Sequence, residues 1–175
     1  MNILVPLAEG FEEIEAITTL AVLKRAKMNA VTVGLPGTMV KSARDLKFIA
    51  DKKLEDVKPE EFDAIVLVGG NSSYLSQSQK ILRAIQDLDS RKKVIAAINT
   101  APLILAKAGI IENRKATIYP GMEREIPRPR GERVVVDGHV ITSQGPGTAI
   151  EFALKIVEAL EGPAKARKLR EELVA

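Results

Sequence analysis

The sequence has no cysteine, no tryptophan and a single histidine. Without cysteine the chain can form no disulfide, no thiolate metal site and no cysteine nucleophile. The lone histidine, His139, leaves no histidine-based metal cluster, so we expect neither a metal nor a cofactor. Because His139 follows Asp137 and Gly138 in a predicted turn, we interpret it as an exposed neighbour of that turn and not as a catalytic base.

Aromatic residues are scarce, at 3% of the chain, whereas hydrophobic residues make up 46%. The core must therefore be built from valine, isoleucine, leucine and alanine. The net charge is only +3, although 28% of the residues are charged. Nucleic-acid binding favours clustered basic residues with stacking aromatics, and neither is present, so we expect no nucleic-acid partner. The basic stretch 124–133 is interrupted by glutamate and proline and is interpreted as a solvated loop.

Long hydrophobic runs are also missing. No segment approaches the roughly 18 apolar residues that a membrane span needs, and the chain begins directly in a short apolar strand without a basic leader. We therefore expect a soluble, cytoplasmic protein with no membrane partner. A length of 175 residues favours one domain, 1–175. Abundant Glu, Lys and Arg with few Gln and Asn suit a thermophile.

Uninterrupted apolar strands are the main positive signal. Residues 94–98 and 64–68 show no alternation of polar and apolar residues, which is typical of parallel strands buried on both faces. The first 34 residues predict a strand (2–6), a helix (12–27) and a second strand (30–34). Strands and helices alternate, which predicts an α/β sandwich around a mainly parallel sheet.

Shorter elements follow from local signals. The patterns predict a small hairpin or edge excursion within 36–58, a polar turn at 71–76 and a helix from Ser78 to about Lys92. A helix over 102–109 and a short strand over 115–118 come next. Asp137-Gly138 predicts a type I′ turn within a hairpin over 134–142. Two helices, 149–160 and 163–173, end the chain.

The turn from strand 94–98 into the next helix places Asn99 at the carboxyl edge of the sheet, where open α/β sheets bind and react with ligands. Asn99 is not an ordinary nucleophile, but asparagine suits the positive φ that such an elbow demands. Thr100 has no base placed to activate it, and we expect it to cap the helix. Gly69 and Gly70 end another buried strand. They could expose backbone N–H groups to a site, or they could simply mark the end of the strand.

Six segments in register resemble one known family. The segments are 8–15, 42–45, 67–70, 97–102, 116–121 and 142–148, and the resemblance extends over nearly the whole chain. Together they are similar to the ThiJ/PfpI superfamily, which includes protein deglycases and an intracellular peptidase. The resemblance implies a flavodoxin-like sandwich, close to class I glutamine amidotransferases, with a mainly parallel sheet and helices on both faces.

The resemblance also implies the site. The conserved acid of the family falls on Glu15, its backbone donors on Gly69, Gly70 and Thr100, and its cysteine nucleophile on Asn99. Tyr119 takes the position at which some members have histidine, and Gln144 replaces a usual arginine. We therefore expect a small polar pocket formed by Glu15, Gly69, Gly70, Asn99, Thr100 and Tyr119, with no metal. The expected contact is a hydrogen bond between Asn99 and Glu15.

Several functions remain open at this level. Asn99 could bind a ligand, mark a position relaxed after chemistry was lost, or, remotely, react itself; an engineered change would leave the same sequence. The chain could be a non-catalytic or altered family member that holds a small polar molecule, with a role in stress response. It could instead be an active glyoxalase, deglycase or peptidase using a route without cysteine, or a structural oligomeric module. The resemblance further implies a homodimer or larger oligomer, with the first helix near Glu15 and Ile17 as the contact.

Overall fold

A computed structural model describes the chain over all of residues 1–175. The strands are β1 (Asn2–Ala8), β2 (Asn29–Leu35), β3 (Met39–Lys41), β4 (Lys47–Ile49), β5 (Lys52–Lys53), β6 (Ala64–Leu67), β7 (Val94–Ile98), β8 (Val134–Asp137) and β9 (Val140–Ser143). The α-helices are α1 (Glu13–Arg25), α2 (Ser73–Gln77), α3 (Gln79–Ser90), α4 (Pro102–Lys107), α5 (Ala149–Glu161) and α6 (Pro163–Leu173).

Seven strands form one sheet in the order β5-β2-β1-β6-β7-β9-β8. Every neighbouring pair is parallel except β8 and β9, which form an antiparallel hairpin at one edge. β3 and β4 pair separately as a small antiparallel hairpin. The predicted α/β sandwich with a mainly parallel sheet is confirmed, and β7 lies inside the sheet between β6 and β9.

Helices cover both faces of the sheet. On one face α1 and α5 pack together, and their apolar residues join a cluster of 27 buried side chains that includes Leu23 and Phe152. On the other face α3 and α4 contribute to a second cluster of 25 buried side chains that includes Ile85 and Ile104. β6 and β7 are buried along their whole length because they face helices on both sides, as their unbroken apolar sequences predict.

The segment 115–118 was expected to be a strand, and this expectation is wrong. Only Ala116 forms a bridge, and it pairs with Pro129. Neighbouring side chains take the place of a strand partner: Lys115 N–H donates to Asp137 Oδ2 at 2.8 Å, and Thr117 N–H donates to Thr142 Oγ1 at 2.9 Å. Ala116 also exchanges backbone hydrogen bonds with Arg128 and Arg130, but this single bridge does not extend into a ladder, so no regular strand forms.

The β8–β9 hairpin is present, but its turn differs from the expected type I′. Asp137 pairs with Val140, so the two loop residues are Gly138 and His139. Only Gly138 has positive φ, +63°, whereas a type I′ turn needs positive φ at both central residues. Glycine at the first central position with a normal residue after it matches a type II′ turn.

Two further details differ from the sequence-based expectations. The expected polar turn at 71–76 overlaps the short helix α2, and the segment 36–58 contains β5 as well as the β3–β4 hairpin; β5 pairs in parallel with β2 at the sheet edge. β5 is held there by Asp51, whose Oδ2 accepts hydrogen bonds from both the N–H and the hydroxyl of Thr32. No helix of the chain is long and apolar enough to cross a membrane.

Candidate functional site

Asn99 occupies a strained elbow directly after β7. Its φ is +65°, in the left-handed region that asparagine tolerates better than most residues. Its backbone is anchored on both sides, because Asn99 N–H donates to Ser143 O at 2.9 Å and Asn99 O accepts from Tyr119 N–H at 3.1 Å. These bonds fix the direction in which the side chain leaves the sheet edge. The residue is 8% exposed.

Glu15 lies fully buried in α1 and faces Asn99. The Nδ2 of Asn99 donates to Glu15 Oε1 at 2.7 Å, and Gly69 N–H donates to Glu15 Oε2 at 2.7 Å. The expected hydrogen bond between Asn99 and Glu15 is therefore present, and both carboxyl oxygens have a donor. The pKa of Glu15 is raised to about 7. Burial is the main cause and the charge of Glu12 adds to it, while the two hydrogen bonds lower the pKa.

The close approach of Gly69 to Asn99 explains why a glycine lies here. A Cβ on Gly69 would come within 2.5 Å of Asn99 Cβ and 2.7 Å of its Cγ. No real side chain tolerates such contacts with the fixed elbow. Gly69 therefore serves two purposes, since it makes room for Asn99 and donates its N–H to Glu15.

Thr100 was expected to cap the following helix, and this expectation is wrong. Helix α4 begins at Pro102 with Ala101 before it, and no side chain caps it. The Thr100 hydroxyl instead donates to Gly70 O at 3.2 Å, which ties the two loops of the site together. The backbone N–H groups of Gly70 and Thr100 donate to no other group of the chain. Both residues are partly exposed.

Tyr119 reaches the site through its backbone, and its side chain is 47% exposed. Its ring lies beside Gly145, where an added Cβ would be 3.3 Å from Tyr119 Cδ2. The amide of Gln144 donates to Gly131 O at 3.0 Å and contacts no other site residue through a hydrogen bond. The structure thus brings together Glu15, Asn99, Gly69, Gly70 and Thr100, and leaves the Tyr119 hydroxyl without a partner at the site.

His139 lies elsewhere, and it is not the exposed turn residue that was expected. Its Nε2 is 2.7 Å from Asp89 Oδ1, the same oxygen that Arg114 contacts at 2.9 Å. His139 adjoins the start of β9, whereas Asn99 follows the end of β7, and these two strands are parallel. The histidine is therefore at the opposite edge of the sheet and takes no part in the site.

Sequence reasoning missed Glu12. Its carboxylate accepts a hydrogen bond from Glu15 N–H at 2.8 Å, which caps the start of α1, and the residue is almost fully buried. Arg44 lies 3.9 Å from Glu12 and 3.8 Å from Glu13. The signal was available as an acid three residues before Glu15, at the spacing of a helix cap. Ser143 was missed as well, because its contribution is a backbone carbonyl that leaves no trace in residue type.

We call the space in front of Asn99 Oδ1 and the N–H groups of Gly70 and Thr100 the niche. The larger surface cavities lie elsewhere, and the largest, about 520 Å³, is next to His139. At the niche a ligand would meet Asn99 Oδ1 and the two unused N–H groups of Gly70 and Thr100. These groups can hold a small polar molecule, but they include no nucleophile of the thiolate or activated hydroxyl kind.

The chain is similar to known proteins over most of its length. The model of the DJ-1/PfpI family matches residues 1–159. Protein dj-1beta of Drosophila melanogaster is 39% identical over 178 residues, covering 98% of this chain and 95% of the relative. The glutathione-independent glyoxalase DJR-1.2 of Caenorhabditis elegans is 37% identical over 169 residues, covering 94% of this chain and 91% of the relative.

Solved structures agree with the sequence comparison. The crystal structure of Drosophila melanogaster DJ-1beta superimposes with a TM-score of 0.94 at 38% identity, covering 99% of this chain and 97% of the other. Some relatives are much longer: this chain spans 40% of the length of protein DJ-1 homolog B of Arabidopsis thaliana, at 38% identity. The flavodoxin-like fold expected from the resemblance is thus confirmed.

Proposed function

Because this chain belongs to the DJ-1/PfpI family and has Asn99 at the elbow, we propose that it binds a small polar ligand without cysteine-type turnover. The observation that carries the proposal is the 2.7 Å hydrogen bond from Asn99 Nδ2 to Glu15 Oε1, in a chain without cysteine. We take Asn99 to hold the position of the family's nucleophile and Glu15 that of its conserved acid, as the resemblance of the surrounding segments implies. An amide keeps the buried acid hydrogen-bonded, but it cannot attack a carbonyl carbon as a thiolate does.

Three groups support ligand binding as the retained function. The N–H groups of Gly70 and Thr100 have no partner in the chain, and Asn99 keeps an unpaired Oδ1 in a residue that is otherwise buried. Unused polar groups of this kind cost free energy unless water or a ligand pairs with them. Tyr119, half exposed, can line one side of the niche.

A turnover assay with methylglyoxal tests the proposal. We expect wild type to convert methylglyoxal no faster than Asn99→Ala, and we expect Asn99→Cys to gain turnover, because it adds a thiol next to Glu15. A fluorogenic peptide substrate serves the same purpose for peptidase activity. A wild-type rate that exceeds the Asn99→Ala rate would overturn the proposal and make Asn99 part of a catalytic route.

A glyoxalase that works without cysteine is the second candidate. It is favoured by the name of the Caenorhabditis elegans relative and by the raised pKa of Glu15, about 7, which suits a group that exchanges protons at neutral pH. A rate that survives Asn99→Ala and disappears in Glu15→Gln would support this candidate. A purely structural module is the third: it predicts that small polar probes do not perturb the niche.

We further propose that the protein acts as a homodimer formed through the outer face of α1. Ile17 is 47% exposed there, and Ile49 on β4 is 73% exposed. Between them lies a groove of about 320 Å³ lined mostly by apolar residues, including Leu20 and Phe48. Burying these side chains against a second copy would remove apolar area from water. Glu15 itself points inward, so the contact involves its outward-facing neighbours, and a partner on α1 would lie near the niche. Roles in stress response and at high temperature stay predictions.

A further inference from the structure

The hydrogen bonds of Glu15 depend on its protonation state. In the ionised form both carboxyl oxygens accept, one from Gly69 N–H and one from Asn99 Nδ2, each at 2.7 Å. The Asn99 amide must then point its nitrogen at Glu15 and its Oδ1 towards the niche. The niche presents an acceptor oxygen in this state, next to a buried negative charge.

Adding a proton reverses this arrangement. Gly69 N–H is a fixed backbone donor, so Oε2 must remain an acceptor and the proton must occupy Oε1. Oε1 then becomes a donor, and two donors cannot face each other, so the Asn99 amide turns by half a rotation and offers Oδ1 to Glu15. Its NH₂ group now points into the niche together with the unused N–H groups of Gly70 and Thr100.

We propose that the niche binds a small carboxylate anion, and that a proton on Glu15 turns the Asn99 amide from an acceptor into a donor for it. This inference rests on the proposed function and names its ligand class. In the protonated state the niche offers three donors that have no partner within the chain, from Asn99, Gly70 and Thr100, and the charge behind them is neutralised. In the ionised state the outward-facing oxygen and the charge of Glu15 both repel an anion.

No other charged group around Glu15 explains the same behaviour. Glu12 and Glu13 at the start of α1 and Arg44 beside them are the charged groups near it. Strands β1, β6 and β7 contain no charged residue, and the buried residues of α5 are all apolar. Tyr119 is the one titratable side chain at the rim of the niche, and it is half exposed. The pKa of about 7 for Glu15 puts the change in the neutral range.

The test is an NMR titration of the full chain with acetate, followed through the Gly70 and Thr100 amide resonances at pH 6 and pH 8. Binding coupled to one proton with a pKa near 7 weakens the affinity about tenfold over this interval. Acetate itself stays ionised at both pH values. Acetamide, a neutral probe of the same shape, should bind with the same affinity at both.

Two variants sharpen the result. In Glu15→Gln the amide oxygen must accept from Gly69 N–H, so its NH₂ always donates to Asn99 and the niche stays in the donor state. We expect this variant to bind acetate at pH 8 as tightly as wild type does at pH 6. Asn99→Asp has only acceptor oxygens and should not bind acetate at pH 8. Glu60→Gln, an exposed surface acid, is the matched control and should keep the tenfold dependence.

The possible outcomes separate this inference from the proposed function. Acetate affinity that is equal at pH 6 and pH 8, or a dependence that persists in Glu15→Gln, would overturn the proton switch. If acetamide still shifts the same resonances, ligand binding at the niche stands without the switch. If neither probe shifts them at either pH, both the switch and the proposed polar niche fail.

Discussion

At the residue scale, the hydrogen bond between Glu15 and Asn99 determines which polar groups the site offers to a ligand. Asn99 is adapted to its position in two ways. Its φ of +65° suits asparagine, and its amide pairs with a carboxyl that is fully buried. A residue that met only one of these demands would leave either a strained backbone or an unpaired buried acid. The position therefore requires a polar side chain that tolerates positive φ.

Replacing Asn99 by alanine tests this double role. The variant removes a hydrogen bond to a buried carboxyl, about 1–3 kcal/mol, and puts alanine in the left-handed region, a further 1–2 kcal/mol or so. We expect Asn99→Ala to lower the free energy of unfolding by about 2–5 kcal/mol, measured by urea denaturation. Asn113→Ala, at an exposed position, should change it by no more than about 0.5 kcal/mol. Equal effects of the two changes would contradict the account.

The pH dependence of stability tests the environment of Glu15. Its folded pKa of about 7 lies above the ordinary value of 4.5, so between these values the folded protein holds a proton that the unfolded chain has lost. Stability from this group is therefore complete below pH 4.5 and is lost as the pH rises through 7. Relative to Glu15→Gln, which does not titrate, wild type should lose on the order of 3 kcal/mol between pH 4.5 and pH 8. A constant difference between the two proteins across this range would show that Glu15 is not desolvated.

At the scale of elements, the site depends on how closely two loops approach each other. The loop after β6 carries Gly69 and Gly70, and the loop after β7 carries Asn99 and Thr100. β6 and β7 are parallel neighbours, so these loops leave the same sheet edge side by side. The Thr100 hydroxyl bond to Gly70 O fixes their spacing. Space for the Asn99 side chain exists because residue 69 has none.

Gly69→Ala tests this spacing. The new methyl group would lie 2.5 Å from Asn99 Cβ, so the loop after β6 must move and the N–H bond to Glu15 must lengthen. We expect a loss of about 1–3 kcal/mol in unfolding free energy together with large shifts of the Asn99 side-chain amide signals in NMR spectra. Gly147→Ala is the control, because no atom lies within 4 Å of its added Cβ. Unperturbed Asn99 signals in Gly69→Ala would be inconsistent with the close approach.

At the scale of the whole molecule, two buried clusters on opposite faces hold the sheet, and the apolar groove beside α1 remains uncovered in the single chain. The cores on both faces are made of aliphatic side chains with few aromatics, as the composition requires. The groove is different, because its rim contains Ile17 and Ile49 in largely exposed positions. This contrast supports the homodimer proposed above.

The dimer proposal predicts that a charge at position 17 prevents the two copies from associating. Ile17→Asp would place a charge in the apolar contact, so we expect sedimentation or light scattering at micromolar concentration to show dimer for wild type and monomer for the variant. Ile150→Asp changes an isoleucine of similar exposure, 40%, on α5 and should leave the dimer intact. A wild-type monomer at this concentration contradicts the proposal directly.

The sequence by itself determined the layout of this protein. Unbroken apolar runs identify β6 and β7 as inner parallel strands, and the alternation of strands and helices identifies the α/β sandwich, because both are periodic properties of neighbouring residues. The elbow could also be located locally, since a buried strand, an asparagine that tolerates positive φ and a proline at a helix start follow one another. The absence of cysteine excluded thiolate chemistry without any coordinates.

Only the tertiary structure decided which polar groups meet. Asn99 and Glu15 are 84 residues apart in the chain, and only the family resemblance paired them in advance. His139 and Asp89 are 50 apart, and nothing in the sequence paired them. No local pattern reaches across such separations. The same reason accounts for the wrong expectations. Thr100 bonds across to Gly70 instead of capping α4, and segment 115–118 finds side-chain partners instead of a strand. A polar side chain pairs with a group that lies close to it in the folded molecule. Burial of the pair then determines how much their hydrogen bond contributes to stability.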